Sequence, residues 1–129
     1  MFHKGNQEHI EKSAKEFCER VIRPNLDKFV KEKRFSRDVF KEMGRIGFLG
    51  AMIPEKYGGS EMSMREYVVL MESLACYGGG SIALTLIAHH SLAAMHILYA
   101  GYEEQKDDSL PAMAKGEFIG ARCLTEPDT

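Results

Sequence analysis

Apolar residues recur at helical spacing along most of this chain. Ile10, Ala14, Phe17 and Val21 are four, three and four apart, so they share one face of a helix that starts near Gln7. Pro24 has no amide hydrogen for an unbroken helix, which predicts a kink or restart there. Leu26, Phe29 and Val30 carry the stripe on to about Lys33. Ser36 is placed to cap a second helix, with Arg37 and Asp38 in its first turn and Val39, Phe40 and Met43 on its inner face. Gly44 and Gly47 offer places for that helix to stop.

Phe48 to Ile53 is a short apolar run closed by Pro54, and it reads as a buried connection. Tyr57-Gly58-Gly59-Ser60 reads as a turn. In Ser63-Met64-Arg65-Glu66 a serine hydroxyl and a glutamate three residues on can satisfy orphan backbone amides reciprocally, which predicts a helix start. Tyr67, Leu70, Met71 and Leu74 give that third helix its stripe, and Gly78-Gly79-Gly80 ends it. Ser81 is placed to cap a fourth helix running to about Tyr99, stopped by Gly101. A shorter, acidic-started helix covers Glu103 to about Leu110, with one more turn from Pro111 to Lys115 ended by Gly116. Phe118 to Leu124 reads as a strand or extended segment. The pattern predicts an all-α fold: a small bundle of four to six helices with a short extended C-terminal segment.

The chain has 129 residues and 44% hydrophobic content, which suits one globular domain. Its net charge of −2 argues against a nucleic-acid binder. The charge is uneven: residues 1–45 hold twelve Lys/Arg against eight Asp/Glu, and residues 46–129 hold five against eleven. The run Lys31-Glu32-Lys33-Arg34 reads as a solvated helix face. Cys18, Cys76 and Cys123 form no disulfide framework and no CxxC, and read as small apolar side chains in a reducing compartment. The N-terminus carries no secretory signal pattern. Ser81 to Ala100 is 20 residues without a formal charge, long enough to cross a bilayer. Thr85, His89, His90, Ser91 and His96 are costly in hydrocarbon, so a buried helix of a soluble fold is the better reading, with no membrane span.

The candidate chemistry lies on that fourth helix. His89 and His96 are seven apart and nearly aligned, but there is no HExxH and no carboxylate between Ser81 and Ala100, so no metal site is expected. The three glycines at 78–80 lack phosphate-loop spacing and read as a helix break. Thr85, Ala88, His89 and Leu92 follow i, i+3, i+4, i+7 spacing. A face mixing small, polar and apolar groups suits either core packing or a pocket wall.

Four further segments carry a resemblance when taken in order. They are Pro54-Glu55-Lys56-Tyr57-Gly58-Gly59, Gly101-Tyr102-Glu103-Glu104-Gln105-Lys106, Leu110-Pro111-Ala112-Met113-Ala114-Lys115-Gly116-Glu117, and Leu124-Thr125-Glu126-Pro127. In this order they resemble the N-terminal part of the acyl-CoA dehydrogenase family. The resemblance runs over nearly the whole chain. It implies residues 1–117 as the N-terminal helical domain and 118–129 as the start of a middle β domain, cut short. It also implies FAD as cofactor, an acyl-CoA thioester as substrate oxidised at Cα–Cβ, and an electron-transferring flavoprotein as acceptor. The whole enzyme is implied to be a homo-oligomer of the bacterial cytoplasm or the mitochondrial matrix.

The family's site roles fall on a few positions here. Thr125 and Leu124 match the residues that bond and pack against the flavin, in a segment that includes Cys123 and Arg122. Arg122 departs from the family, which usually has an aromatic residue there. Thr85, Ala88, His89 and Leu92 match the acyl-pocket wall. The family's catalytic glutamate lies in a later domain, so this piece is expected to be inactive by itself. Two other readings fit the same residues: a helical interaction or acyl-binding module that works without FAD, and a relative such as an acyl-CoA oxidase or flavin monooxygenase. Without its sheet, the end at Phe118–Leu124 is expected to be disordered or paired with another chain's edge.

Overall fold

The structure is a computed structural model that describes residues 4–127; the expected domain limits at Met1 and Thr129 lie outside them. Helix α1 spans Lys4–Phe17 and buries Ile10, Ala14 and Phe17, the stripe that the spacing predicts. The missing amide of Pro24 is absorbed on both sides. A wide π turn at Cys18–Ile22 and a tight 3₁₀ turn at Arg23–Asn25 lead into α2, Leu26–Glu32. The Asn25 side-chain amide donates to the Val21 carbonyl at 2.9 Å, replacing a backbone donor lost at the break. Beyond the kink the predicted stripe fails: Phe29 is buried, but Leu26 and Val30 are exposed.

Helix α3 spans Arg37–Arg45 and buries Val39, Phe40 and Met43. Ser36 occupies the cap position, but its hydroxyl makes no capping bond. Gly44 does not stop this helix; it lies inside its last turn, and Gly47, with φ of +83°, makes the reversal beyond. Phe48, Leu49, Ala51 and Ile53 form the buried connection expected. A short 3₁₀ turn, Glu55–Tyr57, precedes α4, Met64–Gly78. The reciprocal cap is present: the Ser63 hydroxyl accepts from the Glu66 amide at 3.3 Å, and Glu66 Oε2 accepts from the Ser63 amide at 2.7 Å. Replacing Ser63 with alanine is expected to cost about 1 kcal/mol of stability, read from the urea midpoint at unchanged slope.

The fourth predicted helix is one continuous rod, Gly80–Ala100, and it starts one residue before Ser81, so Gly79 rather than Ser81 is at its cap. It runs as α5 (Gly80–Leu86), a π segment (Ile87–Ala94) and α6 (Met95–Ala100). Its length and apolar character would allow a membrane crossing, but its inner faces pack within the bundle. The last helix, α7 (Glu103–Lys115), is unbroken, with Pro111 inside it where the sequence suggested a separate turn. Among the described residues no strand forms, so the fold is all-α.

Two cores result. The larger lies between α1, α3, α4 and α5 and contains Phe17, Met43, Leu70, Leu74, Ile82 and Leu86. The smaller lies between the 53–57 connection, the end of the π segment, α6 and α7, and contains Ile53, Tyr57, Ala94, Met95, Leu110 and Met113. Burying each aliphatic side chain of this size contributes about 1.5–3 kcal/mol. Met52 packs against both cores. The π segment lies where they meet, and that junction positions the site.

Candidate functional site

At the junction the helix turns two adjacent histidines inward. His90 is fully buried, and its Nε2 accepts from the Met52 amide at 3.0 Å. The proton is therefore on Nδ1, which finds no hydrogen-bond partner among the described residues. Its ring stacks on Tyr67 with centroids 4.7 Å apart, and the Tyr67 hydroxyl shares a 2.8 Å hydrogen bond with Ser91. Burial, with His89 alongside, pushes the His90 pKa down to about 4, so the ring is neutral.

His89 is also buried, and both of its nitrogens are used. Nε2 donates to the Met113 carbonyl of α7 at 3.1 Å, and Nδ1 accepts from the Gly120 amide at 3.0 Å. Burial lowers its pKa, against a smaller opposing effect of the Met113 carbonyl. His96, two helical turns on, is exposed, and its Nε2 accepts from the Arg122 guanidinium at 2.7 Å. The segment after α7 is thus irregular and forms no strand, and within this chain it is held along the rod through Gly120 and Arg122 instead of lying loose.

The predicted site residues divide into four sets. Leu92, Arg122 and Cys123 come together with Ala93, His96, Ile97 and Ala121 around an open hollow of about 280 Å³. Thr85 and Ala88 are half-buried on the rod outside this hollow, and the Thr85 hydroxyl donates to the Ser81 carbonyl at 2.8 Å. Leu124 and Thr125 are exposed on the run beyond Cys123. His89 leaves the expected face: it is in the core while Leu92 stays exposed. The i, i+3, i+4, i+7 rule assumes 3.6 residues per turn, and the π segment at Ile87–Ala94 makes wider turns.

Of the cysteines, only Cys18 is the buried apolar side chain expected; burial pushes its thiol up to about 11. Cys76 and Cys123 are exposed. Among the described residues no three His, Cys, Asp or Glu side chains form a metal-binding group.

Sequence reasoning missed the pairings of His90, His96 and Gly120. Two adjacent histidines in an uncharged 20-residue run were the available signal, since a buried imidazole needs partners. Their partners lie 26 to 38 residues away, and no periodicity reports them.

The model of the family described as acyl-CoA dehydrogenase, N-terminal domain, matches residues 4–117. The chain is 35% identical over 127 residues to a 3-(aryl)acrylate reductase of Clostridium sporogenes, which spans 98% of this chain and 33% of that protein. It is 36% identical over 124 residues to a short-chain specific acyl-CoA dehydrogenase of Clostridium acetobutylicum, 95% of this chain and 32% of that protein. Its fold superposes on the crystal structure of an acyl-CoA dehydrogenase complexed with FAD from Bacillus anthracis. There the TM-score is 0.89 at 32% identity, covering 98% of this chain and 22% of that one. The chain thus spans about a third of the length of the curated relatives it matches. Helical rod, two-core bundle and matched residues agree: the chain belongs to the acyl-CoA dehydrogenase family, through the N-terminal domain of that family.

Proposed function

We propose that this chain is the N-terminal helical domain, residues 1–117, of an FAD-dependent acyl-CoA dehydrogenase, with residues 118–129 opening the middle β domain. The observation that carries this reading is the hollow where Leu92, on the rod, meets Arg122 and Cys123, in the segment that leads to Thr125. An acyl-facing wall and a flavin-facing segment belong side by side in an enzyme that stacks an acyl chain on a flavin.

The residues present fit one edge of FAD and no more. Leu124 and Thr125 are outside any helix and exposed, so the Thr125 hydroxyl and the backbone beside it can meet a planar ring with polar atoms along one edge. They do not enclose such a ring. When bound, FAD supplies the hydride acceptor for oxidising the Cα–Cβ bond of an acyl-CoA. The chain's own part is to line and orient: Leu92, and beyond the hollow Ala88 and Thr85, offer the acyl chain a wall with one hydroxyl. The described residues lining the hollow include no carboxylate. On this reading the α-proton is taken by a group outside this domain, and the domain alone does not turn over substrate. In the whole enzyme, a homo-oligomer of the bacterial cytoplasm or mitochondrial matrix, electrons pass to an electron-transferring flavoprotein.

A chimera tests this. The matched third of the Clostridium acetobutylicum dehydrogenase is replaced by this chain, and flavin absorbance near 450 nm (a property of the cofactor, about its usual maximum) and acyl-CoA-dependent dye reduction are measured. The chimera is expected to hold flavin and reduce dye, and the chain alone to do neither. A folded chimera without flavin, or turnover by the chain alone, overturns the reading. Calorimetric binding of acyl-CoA by the chain without FAD would favour an acyl-binding module instead.

A further inference from the structure

The run that carries Thr125 belongs to no helix or strand, yet it is seated in one place. Two observations on different atoms account for that. The Gly120 amide donates to a buried acceptor, His89 Nδ1, whose other nitrogen is committed to Met113 on α7. Gly120 itself fits a notch: a Cβ at this position would lie 2.5 Å from Met113 Cε and 2.6 Å from Ala93 Cβ. Two residues on, Arg122 reaches His96. Gly120 and Arg122 are two residues apart on the run, and His89 and His96 seven apart along the rod, so the two bonds fall at separate points on both. The run is therefore fastened at two points along its length.

We infer that His89 is a positioning residue: as the Nε2–H tautomer it locks Gly120 into the Ala93–Met113 notch, and so sets the height and register of the flavin-facing residues Leu124 and Thr125. This role rests on the functional reading above only for what Leu124 and Thr125 face. The lock itself is a property of this chain. Both ring nitrogens of His89 are committed to this chain's own backbone, so it acts through Gly120. His96 with Arg122 is the second fastening, exposed and so more exchangeable with solvent. The position where the family usually has an aromatic residue here holds an arginine that is turned onto the rod.

The two nitrogens of His89 can be tested separately. Asparagine places its side-chain oxygen near where Nδ1 was, and keeps an acceptor for Gly120 without reaching Met113. Glutamine places its amide nitrogen near where Nε2 was, and keeps a donor for Met113 without serving Gly120. Native-state amide exchange is measured by NMR on the full chain without cofactor, for wild type, His89→Asn, His89→Gln and Gly120→Ala, with urea unfolding in parallel. The Gly120 amide is expected to exchange about tenfold or more slower than an unprotected amide in wild type and His89→Asn, an effect of one hydrogen bond. That protection is expected to be lost in His89→Gln and Gly120→Ala, with shifted resonances at Ala121–Thr125.

Equal protection of Gly120 in the asparagine and glutamine variants, whatever their stability, overturns the proposal, since a purely structural histidine would not separate them. Imidazole ¹⁵N shifts of the wild type need no variant to fold. They are expected to show a neutral ring protonated at Nε2, and a ring protonated at Nδ1 overturns the proposal. The exchange experiment contains no flavin, so it stands if the FAD assay above fails, and the reverse also holds.

Discussion

Gly44→Ala is expected to lower the unfolding free energy by about 3 kcal/mol or more, and Gly44→Val to leave no folded population. Alanine in mid-helix is ordinarily worth up to about 1 kcal/mol over glycine, so propensity alone predicts the opposite sign. Sterics decide. Here α3 crosses α7 with nothing between the backbones: a Cβ on Gly44 would lie 2.1 Å from the Lys115 carbonyl oxygen and 2.4 Å from its carbon. Carbon and oxygen pack at about 3.5 Å, and the obstacle is backbone, which cannot swing aside as a side-chain tip can. Moving it also moves Gly116, whose φ of +76° turns the chain off α7 and whose own Cβ position is blocked by Phe40 and Leu49. Gly80→Ala is the control. It starts a helix, has open space around the added carbon, and should be neutral or stabilising by about 0.4–1 kcal/mol. Urea unfolding of both variants checks the pair, and a Gly44→Ala protein as stable as Gly80→Ala would refute the close crossing.

The second large effect is acid sensitivity centred on His90. In the fold its pKa is held down at about 4 by burial and by His89; in the unfolded chain it returns to its ordinary 6.5. As the pH falls between those values, the unfolded chain binds a proton that the folded one refuses. Stability is therefore complete above 6.5 and is lost as the pH drops toward 4, by about 3 kcal/mol from this residue. His89 is shifted in the same direction and adds to the loss. Glu42 acts in a lower window. Arg45 and Arg20 hold its carboxylate down at about 2, so its contribution is lost only below 4.5. His90→Gln keeps an acceptor for the Met52 amide and cannot titrate. Its unfolding free energy, measured from pH 7.5 to 4.5, is expected to be visibly flatter than that of the wild type. Parallel profiles would show that His90 is not the group responsible.

Much of this could be read from the residues. The stripe Ile10–Ala14–Phe17, the Ser63–Glu66 cap and the apolar run Phe48–Ile53 are local patterns, and each folds as its pattern says. Leu26 and Val30 mark the limit: the kink at Pro24 redirects the chain, and a stripe counted through a break no longer points inward. The segments from Pro54 to Pro127 identify the family, but the site geometry depends on contacts they do not encode. Leu92, Arg122 and Cys123 meet in one hollow because Gly120 is small enough to be seated against Ala93. His89 is buried while Leu92 is exposed, because the helix they belong to is wound more loosely there than the counting rule assumes.

That loose winding lets one rod serve two cores. Leu86 and Met95 are nine residues apart, two and a half turns of an ordinary α-helix, which would set them on opposite sides. Both are buried, Leu86 in the larger core and Met95 in the smaller. The wider turns between them change that angle, so the side each core meets is set by the π segment and not by the residue count alone. A residue inserted or removed between Leu86 and Met95 would turn one set of side chains away from its core, and Met52, packed against both cores, ties the two together.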